Sequence, residues 1–350
     1  MFIPFGNIAQ VDSIPPSNDS INKFHFTFIA DAYFSYDLTQ SSEHQKADFL
    51  YNYKRNKELN FNFLYFKTAY SNRNKRANLA FHTGNYAQYN YANEPTLFQF
   101  INEASVGIQL SKKYNLWIDG GIMPSHIGFE SAINTDCANL TRSVLAENSP
   151  YFETGIKLSY VSTSEKWAFN LLGLNGWQRI AAQSPSFSPS MGLQITFTPS
   201  KKWLINYSNF VGVIKSDVPF NRMYHNFYAH YKTTKKINFT AGIDLGMDTH
   251  QSVSSNWLAA VFILQKEQTK KLKYAARVEL IKDPHTKIVQ FESNDKQRML
   301  IGSSLNLDYW IRKNLVIRIE GKYFNASSLL FTGIKSQQFT ITSNLTFLLN

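Results

Sequence analysis

The stretch KFHFTFIADAYFSYD, residues 23–37, decides the fold. Phe24, Phe26, Phe28, Ala30, Ala32, Phe34 and Tyr36 share one parity, and His25, Thr27, Asp31, Tyr33, Ser35 and Asp37 share the other. Successive side chains of a strand point to opposite faces, whereas a helix of about 3.6 residues per turn would mix the two sets. Residues 23–37 therefore read as a strand with one apolar and one polar face.

The pattern recurs along the chain. Leu59, Phe61, Phe63 and Tyr65 alternate with Asn60 and Asn62. Leu272, Tyr274, Ala276, Val278 and Leu280 oppose Lys273, Arg277 and Glu279. Leu315, Ile317, Ile319 and Tyr323 oppose Arg318, Glu320 and Lys322, and Phe339, Ile341, Leu345 and Phe347 oppose Thr340, Thr342, Asn344 and Thr346. Strands are expected at 23–37, 58–71, 75–87, 100–111, 115–124, 150–162, 166–178, 190–199, 203–213, 223–233, 236–249, 255–266, 271–283, 297–310, 314–325 and 337–349. About twelve residues at ~3.3 Å each, tilted by ~40°, cross an apolar band of ~25 Å. The expected fold is all-β: a closed antiparallel transmembrane β-barrel of about 16 strands, an even number as in single-chain bacterial barrels.

The connections alternate too. Short basic links (SNRNK, SKKYN, TSEK, PSKK, TTKK, QKEQTK, RKN) are interleaved with longer ones near 38–57, 88–99, 125–149, 179–189, 214–222, 250–254, 284–296 and 326–336. Short turns on one side and long loops on the other describe an outer-membrane barrel, with short turns and both termini periplasmic. A soluble sandwich has no reason for such alternation.

The net charge is +11, with 36 Lys and Arg against 25 Asp and Glu. The excess gathers at the short links, in Arg73, Lys75, Arg76, Lys112, Lys113, Lys166, Lys201, Lys202, Lys235, Lys236, Lys270, Lys271 and Lys313 among others. It reads as a rim that meets lipid headgroups or keeps tight turns soluble, and not as a nucleic-acid footprint. Trp167, Trp203 and Trp310 flank the same turns, where amphipathic rings suit a membrane interface. Mean hydropathy is only -0.29, as alternating strands require. Residues 1–22 read as an N-terminal tail, with 1–9 either a signal-peptide remnant or a mature terminus, and 23–350 as the barrel. The single cysteine, Cys137, excludes an internal disulfide. The His residues show no paired ligand spacing, and no P-loop or convergent catalytic set can be assembled, so neither enzyme, cofactor nor metal is expected.

Charges on polar strand faces point to a lumen. The candidate lining is Asp31, Glu103, Asp119, Glu153, Lys157, Arg277, Glu279, Arg318, Glu320 and Lys322, which either tune a wet channel or pair across strands and stiffen the wall. Mixed signs imply modest ion preference, and neutralising Arg277 and Arg318 is expected to move it towards cations. The 123–150 segment is the longest loop, and a loop of that length has a job or is disordered. It is expected to enter the barrel as a constriction, with Phe129, Glu130, Asp136, Arg142 and Glu147 at the narrowing; an extracellular cap is the other reading.

Three stretches resemble the OmpL-like β-barrel porin family of Gram-negative outer membranes: FIADAYFSYD at 28–37, EASVGIQLSKKYNLWIDGGIMPSHIGFES at 103–131, and SPYFETGIKLSYVSTSEKWAFNLLGLNGWQ at 149–178. Gly120, Gly121, Gly128, Gly176 and Trp177 fall at positions similar to the family's. The resemblance covers roughly the first half and implies an outer-membrane porin-like barrel without supplying a substrate. The expected function is diffusion of small hydrophilic solutes in an outer membrane, with homo-oligomers left open. The alternative is a plugged structural barrel that anchors a partner at its periplasmic rim.

Overall fold

In the computed structural model the described residues are 23–40, 44–111, 113–182, 190–216, 218–331 and 335–350. The tail expected at 1–22 lies outside them. Sixteen strands follow in order: β1 Lys23–Asp37, β2 Leu59–Ser71, β3 Lys75–Thr83, β4 Ile101–Gln109, β5 Asn115–Pro124, β6 Phe152–Val161, β7 Trp167–Leu174, β8 Ser190–Ser200, β9 Trp203–Ile214, β10 Phe220–Lys232, β11 Ile237–His250, β12 Val253–Glu267, β13 Leu272–Lys282, β14 Met299–Arg312, β15 Leu315–Ala326 and β16 Gln337–Leu349. Each pairs antiparallel with its sequence neighbours, and β1 pairs with β16 from Phe28↔Leu349 to Asp37↔Thr340, closing the barrel.

Period-2 patterning sets the two surfaces. Phe24, Phe26, Phe34, Val106, Ile156, Leu305 and Ile319 lie exposed on the outer wall. Asp31, Ser35, Asp37, Thr342 and Arg318 are buried inside. Trp167 and Trp203 sit at the short-turn end, the first stacked on Phe197 at 4.1 Å and the second tilted against Tyr231 at 4.5 Å between ring centroids.

Three departures from the simple alternation have local causes. The pairing of β1 with β2 slips between Asp31 and Ala32, so Asp31 faces Phe63 while Ala32 faces Phe61. The extra residue, Asn62, turns inward, and its Oδ1 accepts the Tyr53 N–H at 2.8 Å. This bulge leaves Leu59 and Phe61 outside but brings Phe63 and Tyr65 inside, where both are buried. The strand expected over 75–87 ends at Thr83, because Gly84, at φ 111°, opens a short helix, α1, at Asn85–Asn90. The link at 250–254 is not long: His250 pairs with Val253 around Gln251 and Ser252, both at positive φ, as a tight hairpin requires.

The inside is not uniformly polar. Phe63, Tyr65, Tyr86, Tyr91 and Phe152 form one buried cluster, and Leu172, Leu174, Phe210, Tyr224 and Trp257 form another. Aromatic and aliphatic side chains on inner faces are covered by connecting segments that fold back into the barrel. No described helix is long and apolar enough to cross a membrane; the strands carry that role.

Candidate functional site

The link between β5 and β6 folds into the barrel and lies against its inner wall. Its centre is held at Thr141. The Thr141 N–H donates to Glu320 Oε2 at 2.6 Å, and its carbonyl accepts from Arg277 Nη1 at 2.7 Å. Arg277 Nη2 also reaches Glu320 Oε1 at 2.9 Å, so one loop peptide closes a ring with a buried ion pair. Arg277 is on β13 and Glu320 on β15, two strand spacings apart, roughly 9–10 Å. The contact crosses β14 at Ser304, opposite Arg277, and Asn306, opposite Glu320; the neighbouring Gly302 makes room for Glu279, since a Cβ there would lie 2.6 Å from Glu279 Cγ.

The neighbouring charges hold the rest of the loop. Arg318 pairs with Asp308 at 2.6 Å and donates to the carbonyls of Cys137 and Ala138, each at 3.0 Å. Lys322 Nζ donates to the Arg142 carbonyl at 2.9 Å and lies 3.1 Å from Glu279, which accepts the Val144 N–H at 2.7 Å. Buried charged groups keep their charge only when paired and hydrogen-bonded, and the loop's peptide groups supply much of that bonding, while Arg277 Nε and Glu279 Oε1 meet ion-pair contacts alone.

Of the loop residues singled out in the sequence, Phe129 packs on Tyr228 at 5.4 Å. Glu130 accepts the Ser143 N–H at 3.1 Å and lies 3.8 Å from Arg277. Arg142 folds the loop on itself by donating to the carbonyls of Ser131 at 2.6 Å, Leu140 at 2.8 Å and Ala132 at 3.0 Å. Glu147 leaves the loop sideways and accepts the N–H groups of Tyr51 and Asn52 at 2.8 and 3.2 Å, tying two connections together. Asp136 is half-buried at the end of a one-turn 3-10 helix and lines a small cavity with Glu130 and His230. Cys137 is buried, which pushes its thiol up to about 11 and leaves it unreactive.

The loop enters through His126. Its Nδ1 contacts the Glu153 carboxylate at 2.8 Å, and its Nε2 contacts the Asn209 carbonyl at 2.7 Å. Both partners are acceptors, so the ring donates from both nitrogens and is charged. Burial opposes that charge, yet Glu153 and the Asn209 carbonyl hold the imidazole above its ordinary range. The ring fits because β8 has Gly192 there, where a Cβ would lie 2.5 Å from Nε2.

The residues expected along the lumen therefore fall into three environments. Arg277, Glu279, Arg318, Glu320 and Lys322 lie beneath the loop. Asp31 and Glu153 are buried posts; Asp31 accepts from Tyr53 at 2.7 Å and Asn344 at 2.6 Å, and Glu153 holds His126. Glu103, Asp119 and Lys157 lie on a half-open wall formed by β2–β7, where Glu103 pairs with Lys67 at 2.6 Å and Asp119 with Arg76 at 2.6 Å. Sequence reasoning missed Lys67, His126 and Arg222 and assigned Arg76 to the rim. Lys67 was hidden by the β2 bulge, which inverts parity part-way along the strand. Arg76 stands next to a turn, and only its register opposite Gly107 shows that it points inward. Among the described residues no group of three or more His, Cys, Asp or Glu could hold a metal.

Residues 23–349 match the family described as "Putative beta-barrel porin-2, OmpL-like". The chain belongs to this family. Among curated protein sequences none matches. Among solved structures, this porin is similar to an anion-selective porin from Comamonas acidovorans, at 6% identity and a TM-score of 0.63, covering 94% of this chain and 100% of that one. It is similar to the outer-membrane channel DcaP of Acinetobacter baumannii, at 10% identity and 0.61, covering 95% and 99%. It is also similar to OmpF of Salmonella typhi, solved with daunomycin, at 11% identity and 0.60, covering 94% and 98%. Identities this low speak for the fold, and the family match speaks for the class. The porin is an outer-membrane barrel of porin-like channel type, with nothing in family or fold that points to an enzyme.

Proposed function

We propose that this porin lets small hydrophilic solutes diffuse passively across a Gram-negative outer membrane, past a constriction formed by the inward loop, without catalysing any reaction. The observation that carries the reading is the uneven attachment of the loop, which also hydrogen-bonds to β8, β9, β10 and β16 through His126, Gly128 and Asn134. Its peptide groups are bound to the charges of β13–β15, while Lys67, Arg76 and Lys157 on the β2–β7 wall stay partly open to water. A barrel of this strand number holds an aqueous lumen wherever its own segments leave space. On this reading Phe129, Glu130 and Asp136 border the narrowing, while Arg142 and Glu147 hold the loop's shape. The short basic turns and both termini face the periplasm, with the cationic rim against lipid headgroups. Homo-oligomers are compatible with the exposed outer wall.

Planar-bilayer conductance with size-graded sugars tests it: stepwise blockage by sugars up to a cut-off size is expected. The plugged-barrel reading has one observation behind it, the apolar packing of Phe63, Tyr86, Tyr91 and Phe152 inside the barrel. A heat-modifiable, folded preparation with no conductance would overturn the channel proposal and select that reading.

A further inference from the structure

The lumen carries acids and bases in comparable numbers, but it does not show them equally to water. In the Lys67–Glu103 pair the base side chain is 19% exposed and the acid 2%. In Arg76–Asp119 the figures are 19% and 7%. In Arg222–Asp248, near the long-loop end, they are 11% and 2%. In each pair the carboxylate lies against the wall and the cation faces the cavity. A passing ion therefore meets the positive member first, at shorter range and with less protein between.

Lys157 sharpens the asymmetry. It is only partly buried on β6, and among the described residues it has no ion-pair partner. Two carboxylates are placed to neutralise it, and both are committed elsewhere. Asp119 is its register partner on β5, but it leans across β4 to grip Arg76 with both carboxylate oxygens. It can do so because the intervening residue is Gly107, where a Cβ would lie 2.1 Å from Asp119 Oδ1. Glu153, on the same face of β6, is held by His126 at 2.8 Å. The sequence places an acid opposite the lysine, and the glycine removes it.

We infer that the β2–β7 wall is an anion path: Lys157, with the exposed sides of Lys67 and Arg76, makes the channel favour small anions over cations. The inference rests on the channel reading above. Arg277 and Arg318 take no part, because both are buried beneath the loop with their charges matched.

Reversal potentials in a KCl gradient across a planar bilayer test this, with chloride and potassium as the only probes. The unmodified protein should show a potential of the anion-selective sign. One charge about 5 Å from an ion in water changes its local occupancy roughly fourfold, before screening over ~10 Å in 0.1 M salt. Because that charge attracts chloride and repels potassium by the same factor, Lys157→Gln should lower the chloride-to-potassium permeability ratio by up to roughly sixteenfold, and Lys157→Glu should lower it further. Gly107→Ala, which changes no charge, should push Asp119 back towards Lys157 and lower the ratio in the same direction. Lys235→Glu, in an exposed turn, should leave it unchanged. A conducting wild-type channel with zero or cation-selective reversal would overturn the inference and leave the channel reading standing. So would Lys157→Glu conducting with an unaltered ratio, or Lys235→Glu lowering the ratio as much as Lys157→Glu. Absence of conductance would instead strike the channel reading itself.

Discussion

Arg277→Met removes the central fastening of the inward loop while keeping most of the side chain's bulk. The wild-type guanidinium donates to the Thr141 carbonyl at 2.7 Å and to Thr141 Oγ1 at 3.1 Å, and pairs with Glu320 at 2.9 Å. Its loss leaves Glu279 and Glu320 buried beside a single remaining cation, Lys322. Breaking a buried pair by removing one partner costs ~3–5 kcal/mol. That energy is lost from the docked state of the loop, since β13, β14 and β15 keep their own ladders. At about 1.4 kcal/mol per decade, the ratio of docked to undocked loop falls by roughly two to three and a half decades. Native-state hydrogen exchange in detergent should show residues 139–147 exchanging at least ~100-fold faster, with the β14 amides unchanged. Heat-modifiable migration confirms that the barrel has folded. Adding Glu320→Gln should recover part of the protection, because the stranded charge is then gone. If 139–147 exchange at the wild-type rate in a folded Arg277→Met barrel, the clasp at Thr141 is not what holds the loop.

Two further outcomes follow from named contacts. The His126 imidazole is raised above its ordinary value of 6.5 by Glu153 and the Asn209 carbonyl, against burial and the nearby charge of Lys157. A raised folded value adds stability that is complete below 6.5 and is lost as pH climbs through the raised one, so protection of residues 126–130, corrected for intrinsic exchange, should decline towards alkaline pH. His126→Gln should flatten that profile; an equally steep profile in the variant would assign it to another group. Leu305 is 72% exposed near the middle of β14 on the outer wall, and Leu305→Lys should cost ~2–4 kcal/mol of folding free energy in lipid vesicles. A neutral result there would mean that this face does not meet hydrocarbon.

The strands were legible because two solvents act on every one of them. Outer positions must be apolar along the whole lipid band, so KFHFTFIADAYFSYD shows its faces without any tertiary information. The bulge at Asn62 was not legible, since Leu59, Phe61, Phe63 and Tyr65 keep perfect alternation in sequence while the backbone slips beneath them. The site was legible only as a direction. Parity says that Arg277, Glu279, Arg318, Glu320 and Lys322 point inward, but an inward charge reads the same whether it meets water or a peptide carbonyl. Which of the two applies depends on where residues 137–147 lie, and no local pattern encodes that. The cross-strand pairing considered for these residues is present, yet Arg277 reaches across a whole strand to Glu320, past Ser304 and Asn306 of β14.

The seam between β1 and β16 has a kinetic side. Every other strand pair joins neighbours in sequence and can form as a local hairpin, whereas Phe28 and Leu349 come together from more than three hundred residues apart. Loop-closure entropy grows only slowly with length, but it must be met before any seam contact forms. Until then the facing edges of β1 and β16 expose unpaired N–H and C=O groups, the arrangement that recruits foreign strands. The half-closed sheet is thus the vulnerable species of this fold, and substitutions at seam residues such as Ala30, Ala32, Leu345 and Phe347 lengthen its lifetime to the extent that their contacts form in the closing step.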